Sequence, residues 1–130
     1  VCATNEIAAE LIKFMEGRSE VEALWHPSTQ CRERYDQCRK EDGGYGALFS
    51  FLLKGGEGAA QQFYDALEIS KGPSLGTDFT LVCPYTLLAH YGELEWAAER
   101  GAPRNLLRVW VGLEDPEDLI ERFRKALESL

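Results

Sequence analysis

One arginine stands out as a charged residue inside an otherwise apolar strand pattern. Arg108 lies within the sequence Leu-Leu-Arg-Val-Trp-Val at residues 106–111. Strand alternation places it on the same face as Leu106 and Trp110. A guanidinium on such a face must contact an anion or reach water, because burying it unpaired is very costly. Its planar fork is suited to a carboxylate, but an ion pair with a protein acid or an edge-strand arginine reaching solvent remain alternatives.

Two other regions contain residues that could bind a ligand or take part in catalysis, but their sequence patterns are less specific. The loop at residues 72–77, Gly-Pro-Ser-Leu-Gly-Thr, could present backbone N–H groups and the Ser74 hydroxyl to an anion, although an ordinary turn is the alternative. A general acid–base role for His90 would need a partner that the sequence does not identify, so we interpret it as a surface or satisfied histidine. No nucleophile–base pair and no glycine-rich phosphate loop is evident.

The length and composition of the chain are typical of a single globular domain. The sequence has 130 residues and a net charge of −8, which predicts one compact domain and argues against nucleic-acid binding. No apolar run approaches the ~20 residues that a membrane helix needs. The chain begins at Val1 without a methionine or a signal-type core, so we expect it to be trimmed from a longer polypeptide.

The cysteines indicate a reducing compartment, and we predict a cytoplasmic protein. None of them forms a CxxC pair, and no zinc-type spacing with histidine occurs, so we predict free thiols and no metal site. On a helix, the seven-residue spacing of Cys31 and Cys38 corresponds to roughly 10 Å, too far for a disulfide. The cysteines are Cys2, Cys31, Cys38 and Cys83.

Hydrophobic periodicity predicts alternating helices and strands. Helices are predicted at residues 6–17, 29–41, 57–67, 93–100 and 115–130, and strands at 21–25, 47–53, 79–83 and 106–111. Residues 84–92 fit neither pattern. The strand at 47–53 is apolar on both faces, so we predict that it is central and covered on both sides. The predicted fold is an α/β two-layer sandwich, with helices packed on a small, mostly antiparallel sheet.

Several segments together resemble the C-terminal domain of pyridoxal-phosphate enzymes of the Cys/Met-metabolism (transsulfuration) family. The most specific is Leu-Arg-Val-Trp-Val-Gly-Leu-Glu-Asp at residues 107–115, because Arg-x-x-x-Gly-x-Glu-Asp before a helix is a family signature. The order and spacing match over nearly the whole chain, and residues 77–91 are most similar to the fungal cystathionine γ-synthase-like branch. The other segments are the helix after Asn5, Tyr-Gly-Ala-Leu-Phe-Ser-Phe at 45–51, Lys-Gly-Gly at 54–56, Ser-Leu-Gly at 74–76 and Glu-Asp-Leu at 117–119.

The resemblance implies roles for two residues and the fold of a fold-type I C-terminal domain. Arg108 occupies the position of the family arginine that binds the α-carboxylate of the amino-acid substrate. Ser74 occupies the position of a serine that lines the same pocket and hydrogen-bonds that carboxylate. Pro73 and Thr77 stand where the family usually has Glu and Gly, and Trp110 replaces a small residue. These departures leave the substrate open among homoserine esters, cystathionine and methionine.

The resemblance also implies that pyridoxal phosphate is bound by a large N-terminal domain carrying the Schiff-base lysine, in a homo-oligomeric parent enzyme. No lysine here lies in a motif like that of the family, so we predict no catalytic or cofactor-binding residue in this chain and no activity from it alone. The predicted function is the C-terminal, carboxylate-binding domain of a cystathionine γ-synthase or γ-lyase type enzyme. A free-standing amino-acid-binding or oligomerisation module without catalysis is the alternative. The lysines are Lys13, Lys40, Lys54, Lys71 and Lys125.

Overall fold

A computed structural model describes residues 2–130 of the chain. Its helices are α1 (Cys2–Glu16), α2 (Arg32–Cys38), α3 (Gly56–Ala66), α4 (Tyr85–Ala89), α5 (Leu94–Glu99) and α6 (Pro116–Glu128), and a 3-10 turn spans Tyr91–Glu93. Its strands are β1 (Val21–Trp25), β2 (Leu48–Leu53), β3 (Ser70–Lys71), β4 (Leu81–Pro84) and β5 (Leu107–Trp110). Every helix and strand predicted from the sequence is present, β1 with the predicted bounds and the others with shifted ends. The additions are β3 and α4.

The strands form one sheet in the order β1-β2-β5-β4-β3. The pairs β1/β2, β2/β5 and β4/β5 are antiparallel, and only the short β3 runs parallel to its neighbour β4. The register places Arg108 of β5 opposite Ser50 of β2 on one side and opposite Cys83 of β4 on the other. The predicted α/β sandwich with a mostly antiparallel sheet is therefore confirmed, and β5 is an inner strand.

The hydrophobic core lies between one face of the sheet and the helices α1, α3 and α6. Phe49 and Phe51 of β2 point into it, and Phe51 meets Phe63 of α3 edge-on with ring centroids 5.6 Å apart. Phe63 in turn lies 5.9 Å from Phe123 of α6. This aromatic chain fixes α3 and α6 on the sheet, and it buries the face predicted by the alternation of β2.

The opposite face of the sheet is only partly covered, which corrects the prediction that β2 is covered on both sides. Leu48 is 36% exposed and Trp25 is 37% exposed, while Ser50 and Leu52 are half-buried. Within residues 2–130, α4 packs on β4 and β5 and leaves the β1–β2 part of this face open. Strand composition alone cannot reveal this, because an apolar side chain is equally compatible with a buried and an open face.

The ends of two helices follow from their local sequence. Asp115 caps α6 by accepting hydrogen bonds from the backbone N–H groups of Glu117 at 3.0 Å and Asp118 at 3.2 Å, as its position before Pro116 predicts. The helix α2 begins later than predicted, because the backbone N–H groups of Thr29 and Gln30 donate to the His26 carbonyl at 2.9 and 3.1 Å and form a turn there. Among residues 2–130, no helix combines the length and hydropathy needed to cross a membrane.

Candidate functional site

Arg108 lies in the middle of the sheet, on its partly open face. Its Nη2 donates a hydrogen bond to the carbonyl oxygen of Pro73 at 2.6 Å, and its guanidinium carbon lies 5.2 Å from the ring centroid of Tyr85. A cleft of about 330 Å³ opens beside it, which we call the Arg108 cleft. The residues that line this cleft are Pro73, Cys83, Tyr85, Leu88, Ala89 and Arg108.

Arg108 is neither paired with an acidic residue of the described chain nor located on an edge strand. None of the ion pairs formed within residues 2–130 includes Arg108. It is also not an edge-strand residue, because β5 lies between β2 and β4. A guanidinium carries several N–H donors, and the Pro73 carbonyl engages Nη2 alone. The side chain therefore keeps donor capacity for an anion that enters the Arg108 cleft.

Cys83 lines this cleft and lies opposite Arg108 in the register of β4 and β5. The side chain is a buried free thiol. Burial raises the pKa of the Cys83 thiol, and the neighbouring Arg108 acts in the opposite direction without overcoming that effect. The thiol is therefore neutral at physiological pH, so it does not supply Arg108 with a counter-charge.

Ser74, the second residue singled out by the sequence, follows directly on Pro73. Because the Pro73 carbonyl binds Arg108, the backbone of Ser74 is brought next to the guanidinium. Its side chain is exposed and is not among the residues that line the cleft. The structure thus brings the loop at residues 72–77 to Arg108, while a contact of the Ser74 hydroxyl with a ligand stays a prediction.

The segment after Arg108 holds this loop in place. Glu114 accepts two hydrogen bonds from Thr80, from its backbone N–H at 2.6 Å and from its hydroxyl at 2.7 Å. The Thr80 hydroxyl oxygen also accepts the N–H of Gly112 at 3.0 Å, in a buried position. A Cβ at Gly112 would lie 2.4 Å from the carbonyl carbon of Phe79, closer than atoms can approach. Glycine and glutamate in the Arg-x-x-x-Gly-x-Glu-Asp run therefore serve to clamp the loop.

Two further hydrogen bonds extend this clamp toward Ser74. The indole N–H of Trp110 donates to the Thr77 carbonyl at 2.9 Å, and the backbone N–H of Leu113 donates to the Asp78 carbonyl at 2.7 Å. Trp110 is one of the departures from the family pattern, and this bond gives it a structural role. Sequence reasoning missed the clamp, because its partners are more than 30 residues apart in the chain.

Tyr85 and His90 belong to the region that the sequence pattern left unassigned. The two rings meet edge-on with centroids 5.7 Å apart. His90 Nδ1 lies 2.7 Å from a carboxylate oxygen of Glu93, so His90 has the partner that the sequence did not identify. The spacing of three residues between His90 and Glu93 was the available signal, since such pairs meet on a helical turn.

The lysines do not assemble a cofactor site in the described part of the chain. None of them lines the Arg108 cleft. Burial lowers the pKa of Lys71, but its ammonium donates to the Leu67 carbonyl and lies 4.7 Å from the ring centroid of Tyr64, so it is engaged elsewhere. The other lysine side chains are exposed. Residues 2–130 therefore do not fit pyridoxal phosphate on their own, and no chemical step at that group is assigned to them.

Sequence comparison places the chain beside known proteins. A family model described as "Cys/Met metabolism PLP-dependent enzyme" matches residues 1–128. The cystathionine γ-synthase of Neurospora crassa is 46% identical over 125 residues, which cover 95% of this chain and 20% of that protein. The cystathionine γ-synthase of Saccharomyces cerevisiae is 47% identical over 110 residues, which cover 82% of this chain and 17% of that protein. The similarity to fungal cystathionine γ-synthases predicted from the sequence is confirmed.

Solved structures share the fold. The cystathionine γ-synthase of Xanthomonas oryzae pv. oryzae, solved in complex with cystathionine, superposes with a TM-score of 0.87 at 28% identity, over 99% of this chain and 34% of that chain. A cystathionine γ-lyase from Micromonospora echinospora superposes with a TM-score of 0.84, also at 28% identity. The chain thus spans about a fifth of its curated relatives and a third of these solved chains.

Proposed function

Because the chain belongs to the Cys/Met-metabolism family of pyridoxal-phosphate-dependent enzymes, we propose that it is the C-terminal, carboxylate-binding domain of a transsulfuration enzyme of the cystathionine γ-synthase or γ-lyase type. The observation that carries the proposal is Arg108. It is a guanidinium on an inner strand, beside a cleft, without an acidic partner among residues 2–130. A side chain of this kind is suited to binding an anionic ligand.

In this proposal Arg108 holds the substrate α-carboxylate through its planar fork, and Ser74 adds a hydrogen bond from the clamped loop. Fixing the carboxylate orients the rest of the amino acid for chemistry that other parts of the enzyme perform. The contribution of residues 2–130 is therefore binding and orientation. Support comes from the Pro73 carbonyl, which keeps the loop and the guanidinium together.

The proposal extends to the surroundings of the domain. We place it in a longer, homo-oligomeric protein whose cofactor-binding part lies outside this chain. A cytoplasmic location is supported by the cysteines, which are free thiols and three of which are exposed. The substrate class proposed is an amino acid such as a homoserine ester, cystathionine or methionine.

The carboxylate contact is tested by removing the charge from the ligand. We expect the full-length protein to bind L-cystathionine about 100-fold more tightly than an analogue carrying a carboxamide in place of the α-carboxylate of the homocysteine-derived half. Dissociation constants come from titrations followed by the absorbance of the bound cofactor. Equal affinities for the acid and the amide would overturn the proposed function.

In the same titrations, Ser74→Ala is expected to reduce this preference by about tenfold, since one hydrogen bond to a charged group is lost. Ser19→Ala is the matched control, because Ser19 is an exposed serine whose hydroxyl donates to the adjacent Glu20 carboxylate. A Ser74→Ala variant that keeps the full preference would remove Ser74 from the site and leave the role of Arg108 intact.

The assignment to a domain of a larger enzyme has its own test. We expect the isolated chain, incubated with pyridoxal phosphate and dialysed, to retain no cofactor absorbance band and to turn over no cystathionine. The reason is that no lysine lines the Arg108 cleft. A band that survives dialysis would contradict the assignment. Calorimetric heat from L-cystathionine with the isolated, folded chain would favour the free-standing binding module instead.

A further inference from the structure

We propose that Tyr85 is a positioning residue for the Arg108 guanidinium and that His90 holds the Tyr85 ring in place. The inference rests on the carboxylate-binding role proposed for Arg108. It assigns a function to the segment at residues 85–93, which includes α4 and the 3-10 turn after it. Arg108 itself would touch the ligand, whereas Tyr85 would act through Arg108.

The Pro73 carbonyl and the Tyr85 ring hold the guanidinium from different directions. The Pro73 carbonyl accepts a hydrogen bond from Nη2 at the edge of the group, at 2.6 Å. The Tyr85 ring faces the guanidinium at 5.2 Å, inside the ~6 Å range of a cation–π contact. A long arginine side chain otherwise loses considerable rotamer freedom when it binds a ligand. Holding it in advance raises affinity, because the bound orientation already exists in the free protein.

Tyr85 is itself held by a hydrogen bond from its backbone and by packing of its ring against His90. Its N–H donates to the Leu106 carbonyl at 3.1 Å, which ties the start of α4 to the strand region that carries Arg108. His90 packs its ring edge-on against Tyr85, at an interplanar angle of 70°. Glu93 fixes the His90 ring through the 2.7 Å contact with Nδ1. The order of contacts is thus Glu93, His90, Tyr85 and Arg108.

The ring contacts of Tyr85 and His90 continue to Trp96, and together they support the segment at residues 85–93. The ring of Trp96 in α5 lies 6.2 Å from that of His90, and Arg100 lies 4.2 Å from the ring centroid of Trp96. Thr86 is fully buried and its hydroxyl donates to the Ala102 carbonyl at 3.2 Å, which anchors α4 from beneath. The segment is therefore braced at both ends, as a support for a binding group requires.

The experiment compares Tyr85→Met with Tyr85→Phe in the full-length holoenzyme. Methionine has an apolar side chain without a π face, while phenylalanine keeps the face and loses only the hydroxyl. We expect Tyr85→Met to raise the dissociation constant for L-cystathionine by about three- to tenfold and to leave that for the carboxamide analogue within about twofold. Tyr85→Phe should stay within about twofold of the parent protein for both ligands.

A structural role alone would give another pattern. If Tyr85→Met weakened the acid and the amide equally, or if Tyr85→Phe lost as much affinity as Tyr85→Met, the positioning role would be overturned. Combining Tyr85→Met with Arg108→Leu should give no loss beyond that of Arg108→Leu alone, because the two residues act on one contact. Additive losses would contradict the inference.

A second variant covers the case in which Tyr85→Met does not fold. His90→Leu removes the ring that holds Tyr85 and leaves Tyr85 and Arg108 unchanged. It should raise the dissociation constant for L-cystathionine about two- to threefold, with no change for the carboxamide. An unchanged acid affinity would overturn the inference. If instead Arg108→Leu leaves the preference for acid over amide intact, the proposed function itself fails, so the two failures are distinguishable.

Discussion

Replacing Arg108 with leucine in the full-length protein is expected to lower kcat/KM for L-cystathionine by about 100- to 1,000-fold. The substitution removes the cation on β5 that is proposed to hold the substrate carboxylate and leaves an apolar side chain of smaller reach. Because the contact is made in the ground state and in the transition state, most of the loss should appear in KM. Steady-state kinetics with the acid and with the carboxamide analogue measure it, and the amide should lose less than about threefold.

Two further variants test whether the loss depends on the shape of the guanidinium group and on its position at residue 108. Arg108→Lys keeps the positive charge but loses the bidentate geometry and the flat face opposite Tyr85, so an intermediate loss is expected. Arg104→Leu is the matched control, since Arg104 is an exposed arginine whose nearest acid, Glu57, lies 3.3 Å away. Equal losses from Arg104→Leu and Arg108→Leu, or an equal loss with acid and amide, would contradict a carboxylate site at Arg108.

The placement of Arg108 was predictable because strand alternation is a local property. Leu107 and Val109 are buried in the core, and Arg108 and Trp110 lie on the other face, as the sequence pattern requires. Asp115 was likewise predictable as a helix cap, because capping depends on a few adjacent residues. The resemblance to a known family added the α-carboxylate role, which the pattern at residues 106–111 alone left among several alternatives.

The contacts of Arg108 were not predictable in the same way. The Pro73 carbonyl is 35 residues away in the chain, and it becomes a neighbour through the pairing of β3 with β4 and of β4 with β5. Tyr85 lies in a segment whose proline and short helix fit no periodic pattern. The two-residue β3 is too short to leave a signal, and it pairs with β4 only because the chain returns there after α3.

The residue types in β2 do not distinguish the buried face of the sheet from the partly open one. Leu48 and Leu52 are as apolar as their buried neighbours in β2, yet they lie on the face left partly open by residues 2–130. That face is also the one that carries Arg108. An apolar surface beside a binding group is consistent with a domain that functions against other parts of a larger protein, which is what the proposed function requires.

Gly112 links the stability of the domain to its binding site. The residue is buried, and a Cβ there would lie 2.4 Å from the carbonyl carbon and 2.5 Å from the Cα of Phe79. Both contacts are with backbone, so no side-chain rotation can relieve them. The alternative is a shift of the segment around Thr80, which Glu114 and Gly112 together hold by hydrogen bonds.

We therefore expect Gly112→Ala to lower the free energy of unfolding by about 2–4 kcal/mol, as measured by urea denaturation of the chain. Gly58→Ala is the matched control with the opposite sign. Gly58 lies within α3 and an added Cβ would meet no atom within 4 Å, so alanine should raise the free energy of unfolding by about 0.5 kcal/mol.

The same pair of variants also tests whether the clamp serves the Arg108 cleft. In the full-length protein, Gly112→Ala should weaken binding of L-cystathionine, because movement of residues 77–80 displaces the loop whose Pro73 carbonyl holds Arg108. Gly58→Ala should leave that binding unchanged. A Gly112→Ala variant that loses stability but keeps full affinity would show that the loop holds its position without the clamp. Gly112 and Glu114 would then serve the fold alone, and the role proposed for Arg108 would stand without them.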